Sequence, residues 1–459
     1  MIHRYQKKGL NFVLDVNSGA VHLLDDISYA VSGLLDENMG DTCPQSIIDA
    51  LPDYTADEIR EAYDELYELK KAGQLFAQDD YIDVSRYIPV NAPVKALCLH
   101  VAHDCNLRCK YCFASTGDFG QGRKIMPPDI AKKAIDFVIA RSGVRHNIEV
   151  DFFGGEPLMA WDTVTQTVDY ARSLEEKHNK KFRFTITTNG LLLDEDKRKY
   201  INENMDNCVL SLDGRREVND EFRKTVAGTG SYDTIVPKFK ALVDERDPNL
   251  DYYARGTFTS HNLDFAEDVL SIADAGFDRL SVEPVTADPG CGYDLTEDDL
   301  PKIEAEYDRL TDIMLERKKE GKPFTFFHFM VDLDQGPCVV KRLRGCGAGY
   351  EYVAVTPDGD IYPCHQFVGK DEFKQGSVLD QSFNMDIAQK FAGMNIYSRP
   401  KCQKCWAKFY CSGGCSAANY NMNHDMNDSY DLGCEMERKR LECAIYLKAM
   451  DKICANQSK

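Results

Sequence analysis

Residues 103–113 read His-Asp-Cys-Asn-Leu-Arg-Cys-Lys-Tyr-Cys-Phe and directly follow a predicted β-strand, residues 95–102. Cys105, Cys109 and Cys112 have the spacing C-x3-C-x2-C. Three such thiolates can hold three irons of a [4Fe–4S] cluster and leave the fourth iron open to an external ligand. Zinc sites use four protein ligands and often C-x2-C pairs, so this spacing disfavours zinc. In parallel α/β folds, active sites form at the C-terminal ends of strands. The position of these three cysteines after a strand therefore argues against their meeting in a loop by chance.

From residue 95 onward, short β-branched runs alternate with amphipathic helices. This alternation predicts an α/β fold with a parallel sheet covered by helices, most simply a partial (β/α)6 TIM-type barrel. The predicted strands are 95–102, 148–153, 182–188, 207–212, 251–259 and 279–285, and the predicted helices are 128–142, 162–177, 194–204, 232–245 and 264–275, with a charged helix near 297–320.

Short motifs stand at the ends of the predicted strands. Gly154-Gly155-Glu156-Pro157 follows the second strand, Thr188-Asn189-Gly190 the third, and Ser211-Leu212-Asp213-Gly214 ends the fourth. With the cysteine motif, they make the chain resemble the radical S-adenosylmethionine (SAM) enzymes. In that family, electron transfer from the cluster cleaves SAM to methionine and a 5′-deoxyadenosyl radical, which abstracts hydrogen from the substrate.

The resemblance implies a set of SAM-binding residues. The Gly-Gly-Glu motif would bind the SAM amino group, and Ser211 and Asp213 would lie near the ribose and carboxylate. A guanidinium suits a carboxylate, so Arg255 is expected to pair with that of SAM. For Asn189 and Arg255 an ordinary structural role is the alternative. The expected cofactor-binding residues are Gly154, Gly155, Glu156, Asn189, Ser211, Asp213 and Arg255.

The chain has 17 cysteines, and nine of them lie between Cys338 and Cys443. In a reducing compartment, clustered cysteines indicate metal ligands rather than disulfides. The distal set resembles the SPASM domain, a C-terminal extension of radical SAM enzymes that act on peptides and proteins. That domain typically carries two auxiliary [4Fe–4S] clusters, so three clusters are expected in all. The distal cysteines that match the domain are Cys346, Cys364, Cys402, Cys405, Cys411, Cys415 and Cys434.

The resemblance also divides these cysteines between two clusters. Cys402, Cys405, Cys411 and Cys434 would ligate the outer cluster, and Cys346, Cys364 and Cys415 the inner one. Cys338 either completes the inner cluster or leaves it open to a substrate thiol. The alternative is a zinc ribbon formed by Cys402, Cys405, Cys411 and Cys415. Among the other cysteines, Cys98 and Cys208 lie in strand patterns and are expected to be core residues.

Residues 1–80 form a module of their own. Alternating apolar residues on both sides of Asn17-Ser18-Gly19 predict a β-hairpin, and helices are predicted over 27–35 and 55–72, the latter with the capping box Thr55-x-x-Glu58. This outline is typical of a winged helix of the α+β class. Residues 1–95 hold 17 acidic and 8 basic side chains, which argues against DNA binding. The module resembles the element that captures the leader of ribosomally made peptides by adding it as a strand.

The predicted domains are therefore 1–80, a linker over 81–94 marked by Pro89 and Pro93, the barrel over 95–290, a bridging region over 291–337, and the SPASM domain over 338–459. The last segment shows little regular pattern, so we expect clusters to hold it together in place of a large core. The net charge of −20 disfavours nucleic acid as a partner. A membrane span and a signal peptide are both missing from the sequence pattern, which predicts a cytoplasmic protein.

The combination of modules most resembles the maturases of SCIFF peptides, which join a cysteine sulfur to a carbon of another residue. It implies a cysteine-rich precursor peptide as substrate and reduced ferredoxin or flavodoxin as electron donor. Sulfatase-maturing enzymes carry an aspartate base after the Tyr-Pro-Cys segment, whereas here His365 follows Cys364. His365 is a candidate base, or else an exposed histidine with no catalytic role. Formylglycine or carbon–carbon products, and a multi-cluster electron carrier, are the other hypotheses.

Overall fold

The computed structural model describes residues 1–86, 92–333 and 339–457. Its N-terminal module consists of β1 (Ile2–Lys7), β2 (Leu10–Asp15), β3 (Val21–Leu24), α1 (Asp26–Ser32), α2 (Gln45–Ala50) and α3 (Ala56–Lys71). The predicted hairpin is confirmed as the antiparallel pair β2–β3, and β1, which the pattern did not predict, pairs with β2 on the other side. The capping box at the start of α3 is confirmed, because the Thr55 hydroxyl accepts from the Glu58 backbone N–H.

The six predicted strands and five intervening helices of the barrel are confirmed to within two residues at each end. In chain order the region contains α4 (Ile82–Arg86), β4 (Ala96–His103), β5 (Leu107–Cys109), β6 (Lys124–Ile125), α5 (Pro128–Arg141), β7 (Asn147–Gly154), α6 (Trp161–His178), β8 (Lys181–Thr188), α7 (Glu195–Asn204), β9 (Asn207–Ser211), α8 (Arg216–Phe222), β10 (Arg223–Thr225), α9 (Tyr232–Asp244), β11 (Asp251–Phe258), α10 (Phe265–Asp274), β12 (Arg279–Pro284), α11 (Leu300–Lys319) and β13 (Thr325–Phe326). The short helix α4 falls inside the predicted linker, and Pro89 lies outside the described residues.

The barrel strands form one parallel sheet in the order β13-β12-β11-β9-β8-β7-β4. This sequential order is that of a partial TIM-type barrel, as predicted. Apolar side chains of the strands and covering helices form one continuous core that includes Phe152, Phe184 and Phe239. The sheet therefore brings the C-terminal ends of its strands, with their short motifs, to one edge of the barrel.

The C-terminal region contains α12 (Val339–Arg344), β14 (Tyr352–Val355), β15 (Asp360–Tyr362), β16 (Gly376–Ser377), β17 (Ser382–Phe383), α13 (Met385–Gly393), α14 (Pro400–Gln403), α15 (Lys408–Cys411), α16 (Ser416–Asn423) and α17 (Asp431–Gln457). Strand β14 pairs in parallel with β4, so the barrel sheet continues into this region. The expectation that clusters take the place of a large core after residue 338 is wrong for α17. Leu441 and Ile445 of that helix belong to the main core, which the sequence analysis did not predict.

The N-terminal module packs against α17 and α11. The His3 ring stacks on Trp406 at 3.8 Å and bonds the Glu442 carboxylate at 2.9 Å. The Lys7 ammonium lies 3.2 Å from the Cys443 sulfur and pairs with Asp308 on α11. The β1 side of the module is therefore covered by the rest of the chain. Across the described ranges, every helix is too short or too polar to cross a membrane.

Candidate active site

The three cysteines of the first motif line one cavity of about 150 Å³ at the C-terminal ends of β7, β8 and β9. Burial, reinforced by Glu156, raises the pKa of Cys105 to about 12, and burial raises that of Cys109 to about 12 against the opposing charge of Arg223. Buried thiols with such pKa values become ligands when a metal supplies the compensating positive charge. The site therefore fits the predicted thiolate-ligated cluster.

Two glycines let the cysteine loop approach β7 closely. A β-carbon on Gly155 would lie 2.1 Å from the Asp104 carbonyl oxygen, and one on Gly154 would lie 2.2 Å from that of Ala102. On the other side of the loop, a β-carbon on Gly117 would meet the Cys105 β-carbon at 2.7 Å. The Gly-Gly pair thus allows the backbone of the cysteine loop to pack directly against β7. This role does not depend on SAM.

Glu156 is buried and holds the turn after β8. Its carboxylate accepts from the Leu158 N–H at 3.0 Å, the Thr188 hydroxyl at 2.8 Å and the Asn189 N–H at 2.8 Å. Burial raises its pKa to about 7, although these three hydrogen bonds act in the opposite direction. The Asn189 amide in turn donates to Asn106 at 2.8 Å and lies 3.6 Å from the Cys105 sulfur. Glu156 and Asn189 therefore tie the turn after β8 to the cysteine loop.

Behind the loop lies a buried ion pair that the sequence analysis did not predict. The fully buried Asp213 carboxylate contacts the Arg223 guanidinium at 3.0 Å and accepts from the Tyr111 hydroxyl at 2.6 Å. Arg223 begins β10, which pairs with β5 so that Arg223 lies opposite Cys109. Tyr111 could have been noticed inside the cysteine motif, but no local signal marks Arg223. The described residues that line the cavity include Ser211, Glu156 and Asn189 but not Asp213.

Arg255 and His365 line a second cavity of about 230 Å³, which shares Tyr111, Phe113 and Ser211 with the first. Arg255 pairs with Glu283 on the neighbouring strand β12, a contact the sequence did not reveal. The His365 ring packs against Phe113 and Phe153, and its Nδ1 lies 3.4 Å from the Tyr352 hydroxyl. Of the two alternatives for His365, the exposed histidine is not what the structure shows, because His365 is half-buried. Burial, aided by Arg255, lowers its pKa to about 4, so the ring is neutral at pH 7.

Four distal cysteines line a separate cavity of about 320 Å³. They are Cys402, Cys405, Cys411 and Cys434, the set expected for the outer cluster. Burial raises the pKa of Cys411 to about 12 and that of Cys434 to about 11. The Arg438 guanidinium lies 3.8 Å from the Cys405 sulfur. Cys415 is not among the described residues that line this cavity, which disfavours the zinc ribbon.

The three cysteines expected for the inner cluster are also brought together. Burial raises the pKa of Cys364 to about 12, with further contributions from the nearby thiols of Cys415 and Cys346. Burial likewise raises the pKa of Cys346, to which Cys415 adds. Cys338, which is one of the two alternatives for the fourth position, lies outside the described residues. Cys98 and Cys208 are buried, as expected of core cysteines.

The comparisons with known families agree with this geometry. A model of the radical SAM superfamily matches residues 99–251, and a model of the iron–sulfur cluster-binding SPASM domain matches residues 346–406. The chain contains a radical SAM domain followed by a SPASM domain. The first match spans β4 to the start of β11, and the second spans β14 to the first two cysteines of the outer set.

Relatives and solved structures extend the match. The cysteine-type anaerobic sulfatase-maturating enzyme of Clostridium novyi is 25% identical over 350 residues, which cover 72% of this chain and 90% of that protein. The structure of anSMEcpe with bound AdoMet aligns with a TM-score of 0.63 and 21% identity, covering 78% of this chain and 99% of that one. Streptococcus suis SuiB bound to precursor peptide SuiA aligns with a TM-score of 0.52 and 16% identity, covering 93% and 97%. These structures confirm the fold.

A radical SAM domain implies a [4Fe–4S] cluster and SAM, and a SPASM domain implies additional iron–sulfur clusters. The cysteines of this chain fit these groups, because the first and the outer set each line one cavity and the thiols of the inner set lie near enough to raise the pKa of Cys364. Cys105, Cys109 and Cys112 would hold the first cluster in the cavity of about 150 Å³. The number of auxiliary clusters depends on the inner set and stays a prediction.

Proposed function

We propose that this protein is a radical SAM maturase that modifies a ribosomally made peptide. The observation that carries the proposal is a connected set of three cavities. The cysteine-lined cavity shares Tyr111 and Phe113 with the 230 Å³ cavity, and both share these residues with a groove of about 530 Å³ between barrel and C-terminal region. A groove of this size accommodates several peptide residues. When bound, the cluster and SAM would supply the radical that abstracts hydrogen.

The residues of the chain would bind and orient the reactants in this arrangement. Gly155, Glu156, Asn189 and Ser211 face the cavity where SAM would lie beside the cysteines. Arg255 lines the adjoining cavity, where it would neutralise an anionic group of SAM or of the substrate. We assign Asp213 to positioning of the cysteine loop rather than to direct SAM contact, because its carboxylate is occupied by Arg223 and Tyr111. Reduced ferredoxin or flavodoxin is the proposed electron donor.

The N-terminal module would capture the leader of the peptide. In the described residues, β3 pairs only with β2, so its other edge is free to accept a strand. The β1 side is covered by α17, which leaves β3 as the available edge. Leu23 on β3 is 42% exposed and offers an apolar contact to an added strand. SuiB, whose structure was determined with its precursor peptide bound, aligns over 93% of this chain. This alignment supports the proposal.

For the product, we propose a thioether between a cysteine sulfur and a carbon of the same peptide. The resemblance to SCIFF maturases supports this choice, and so does the lack of an aspartate after Cys364. Neutral His365 with a pKa near 4 is a poor base at pH 7. The second candidate is formylglycine formation on a sulfatase, which the relative from Clostridium novyi favours. A carbon–carbon crosslink is a further alternative.

Two experiments test the proposal. Alanine at Cys105, Cys109 and Cys112 should abolish formation of 5′-deoxyadenosine and leave iron at the distal cysteines, and continued SAM cleavage would refute the assignment. A cysteine-rich precursor peptide treated with the reduced enzyme should lose two hydrogens per crosslink. Each crosslinked cysteine should then resist alkylation, because its thiol has become a thioether. A peptide whose cysteine becomes formylglycine would instead support the second candidate. An electron carrier would cleave no SAM at all.

A further inference from the structure

The groove between the barrel and the C-terminal region contains one lysine, Lys370. One wall comes from the barrel and includes Asp288, and the other comes from residues 365–370 and 420–424. Among the described residues that line the groove, Lys370 is the only lysine, and arginine is not represented.

The Lys370 ammonium is held without a carboxylate partner among the described residues. It donates to the Asn421 side-chain oxygen at 2.5 Å and lies 4.7 Å from the centre of the Tyr420 ring. An ammonium has three N–H donors, so one amide oxygen leaves donors for another acceptor. Lys374, four residues away, differs because its ammonium pairs with the Asp360 carboxylate at 2.8 Å.

Nearby carboxylates do not replace the missing partner. The Glu372 carboxylate accepts from the Tyr420 hydroxyl at 2.9 Å, and Asp288 stands on the opposite wall. Burial lowers the pKa of Lys370, while Glu372 and Asp288 oppose that change. Asn421 and Tyr420 therefore place a half-buried cation in the groove of a chain whose net charge is −20.

We propose that Lys370 is a specificity-determining residue that binds a carboxylate of the substrate peptide in this groove. The inference rests on the proposed function and deepens it, because it assigns an acidic residue to the segment that lies in the groove. The carboxylate comes either from an aspartate or glutamate side chain or from the C-terminus of the peptide. Both sources present the same acceptor to the ammonium.

The test uses the reconstituted full-length enzyme with SAM under anaerobic conditions. The probe is a library of random twelve-residue peptides whose C-termini are blocked by their display linkage. If the carboxylate belongs to a side chain, wild type should enrich aspartate or glutamate at one position, and Lys370→Glu should enrich lysine or arginine there. Lys370→Gln should then show neither preference. Lys374→Glu, a charge change outside the groove, is the matched control and should select like wild type.

Synthetic peptides then measure the effect and identify the source of the carboxylate. For the best acidic peptide, Lys370→Glu should raise Kd about tenfold. The same peptide with lysine in place of its acidic residue should bind the Lys370→Glu variant with most of the lost affinity restored. If free-acid peptides bind better than amidated ones only when Lys370 is present, the C-terminal carboxylate is the ligand. Acidic selection that persists in Lys370→Glu would overturn the inference and leave the proposed function intact. If wild type shows neither acidic enrichment nor a preference for free-acid peptides, the inference is also overturned. Failure of the reduced enzyme to modify any precursor peptide would overturn both the inference and the proposed function.

Discussion

Replacing Asp213 with alanine should loosen the cysteine loop without touching a cysteine. The Asp213 side chain is fully buried, and its partner Arg223 is 11% exposed. Asp213 also accepts from the Thr257 backbone N–H at 3.1 Å and from the Tyr111 hydroxyl. The substitution would leave a buried guanidinium uncompensated beside Cys109, and it would leave a phenol and a backbone N–H without their acceptor.

The size of the effect follows from the Arg223 guanidinium, which would stay buried without its carboxylate partner. Breaking a buried ion pair by removing one partner costs about 3–5 kcal/mol. For a domain of the size of this barrel, each kcal/mol lowers Tm by about 2–4 °C, so a decrease on the order of 10 °C is expected. If the unpaired Arg223 guanidinium causes most of the destabilisation, removing it should restore part of the stability. The double variant Asp213→Ala/Arg223→Met should therefore be at least about 1 kcal/mol more stable than Asp213→Ala alone.

The assay exploits the two tryptophans of the chain, Trp161 on the barrel helix α6 and Trp406 beside the outer cysteines. In a Trp406→Phe background, tryptophan fluorescence during urea unfolding reports on the barrel alone. Asp213→Asn, which keeps an acceptor for Tyr111, should be less destabilised than Asp213→Ala. A free energy of unfolding for Asp213→Ala within about 1 kcal/mol of the parent would refute the reasoning.

Three further predictions address the loop, the N-terminal module and a buried acid. Gly155→Ala should abolish iron binding at the first site, because its β-carbon would collide with a backbone carbonyl, whereas Gly40→Ala, which meets nothing within 4 Å, should bind iron normally. Leu23→Asp should weaken binding of the leader about tenfold in a fluorescence titration, while Val144→Asp, on an exposed barrel loop, should not, and equal affinities would argue against leader capture at β3. Burial, with Glu149, raises the pKa of Asp151 to about 6, so its ionised form is disfavoured in the folded state. Asp151→Asn should therefore stabilise the protein above pH 6 by at most about 3 kcal/mol, and the gain should vanish as pH falls below about 4; a gain independent of pH in urea titrations would contradict this.

The barrel was predictable from the sequence because each strand and helix carries its own local pattern. Strand β8, for example, alternates buried Phe182 and Phe184 with more exposed residues, which gives the period of two expected for a strand. The cysteine motif was predictable for a similar reason, since its members lie within eight residues. These features need no knowledge of distant contacts.

Helix α17 and the Asp213–Arg223 pair were not predictable, because both depend on contacts distant in sequence. Successive residues of α17 face different partners: Lys439 pairs with Asp308, Arg440 with His328, and Glu442 with His3. A helix buried on several sides loses the single apolar face that would mark it. Similarly, Asp213 matched a motif expected near SAM, and only the pairing of β10 with β5 reveals that its carboxylate holds Arg223.

The parallel pairing of β14 with β4 also has a consequence for how the protein is made. Ala96 of β4 lies opposite Tyr352 of β14, a separation of 352 − 96 = 256 residues along the chain. At synthesis rates of about 5–20 residues per second, β4 would leave the ribosome roughly 13–50 s before its partner exists. During that interval one edge of the barrel sheet would offer unpaired backbone groups to neighbouring chains. The nascent barrel is therefore most exposed to aggregation while its C-terminal region is still being translated, and expression conditions that slow translation of that region should lower the yield.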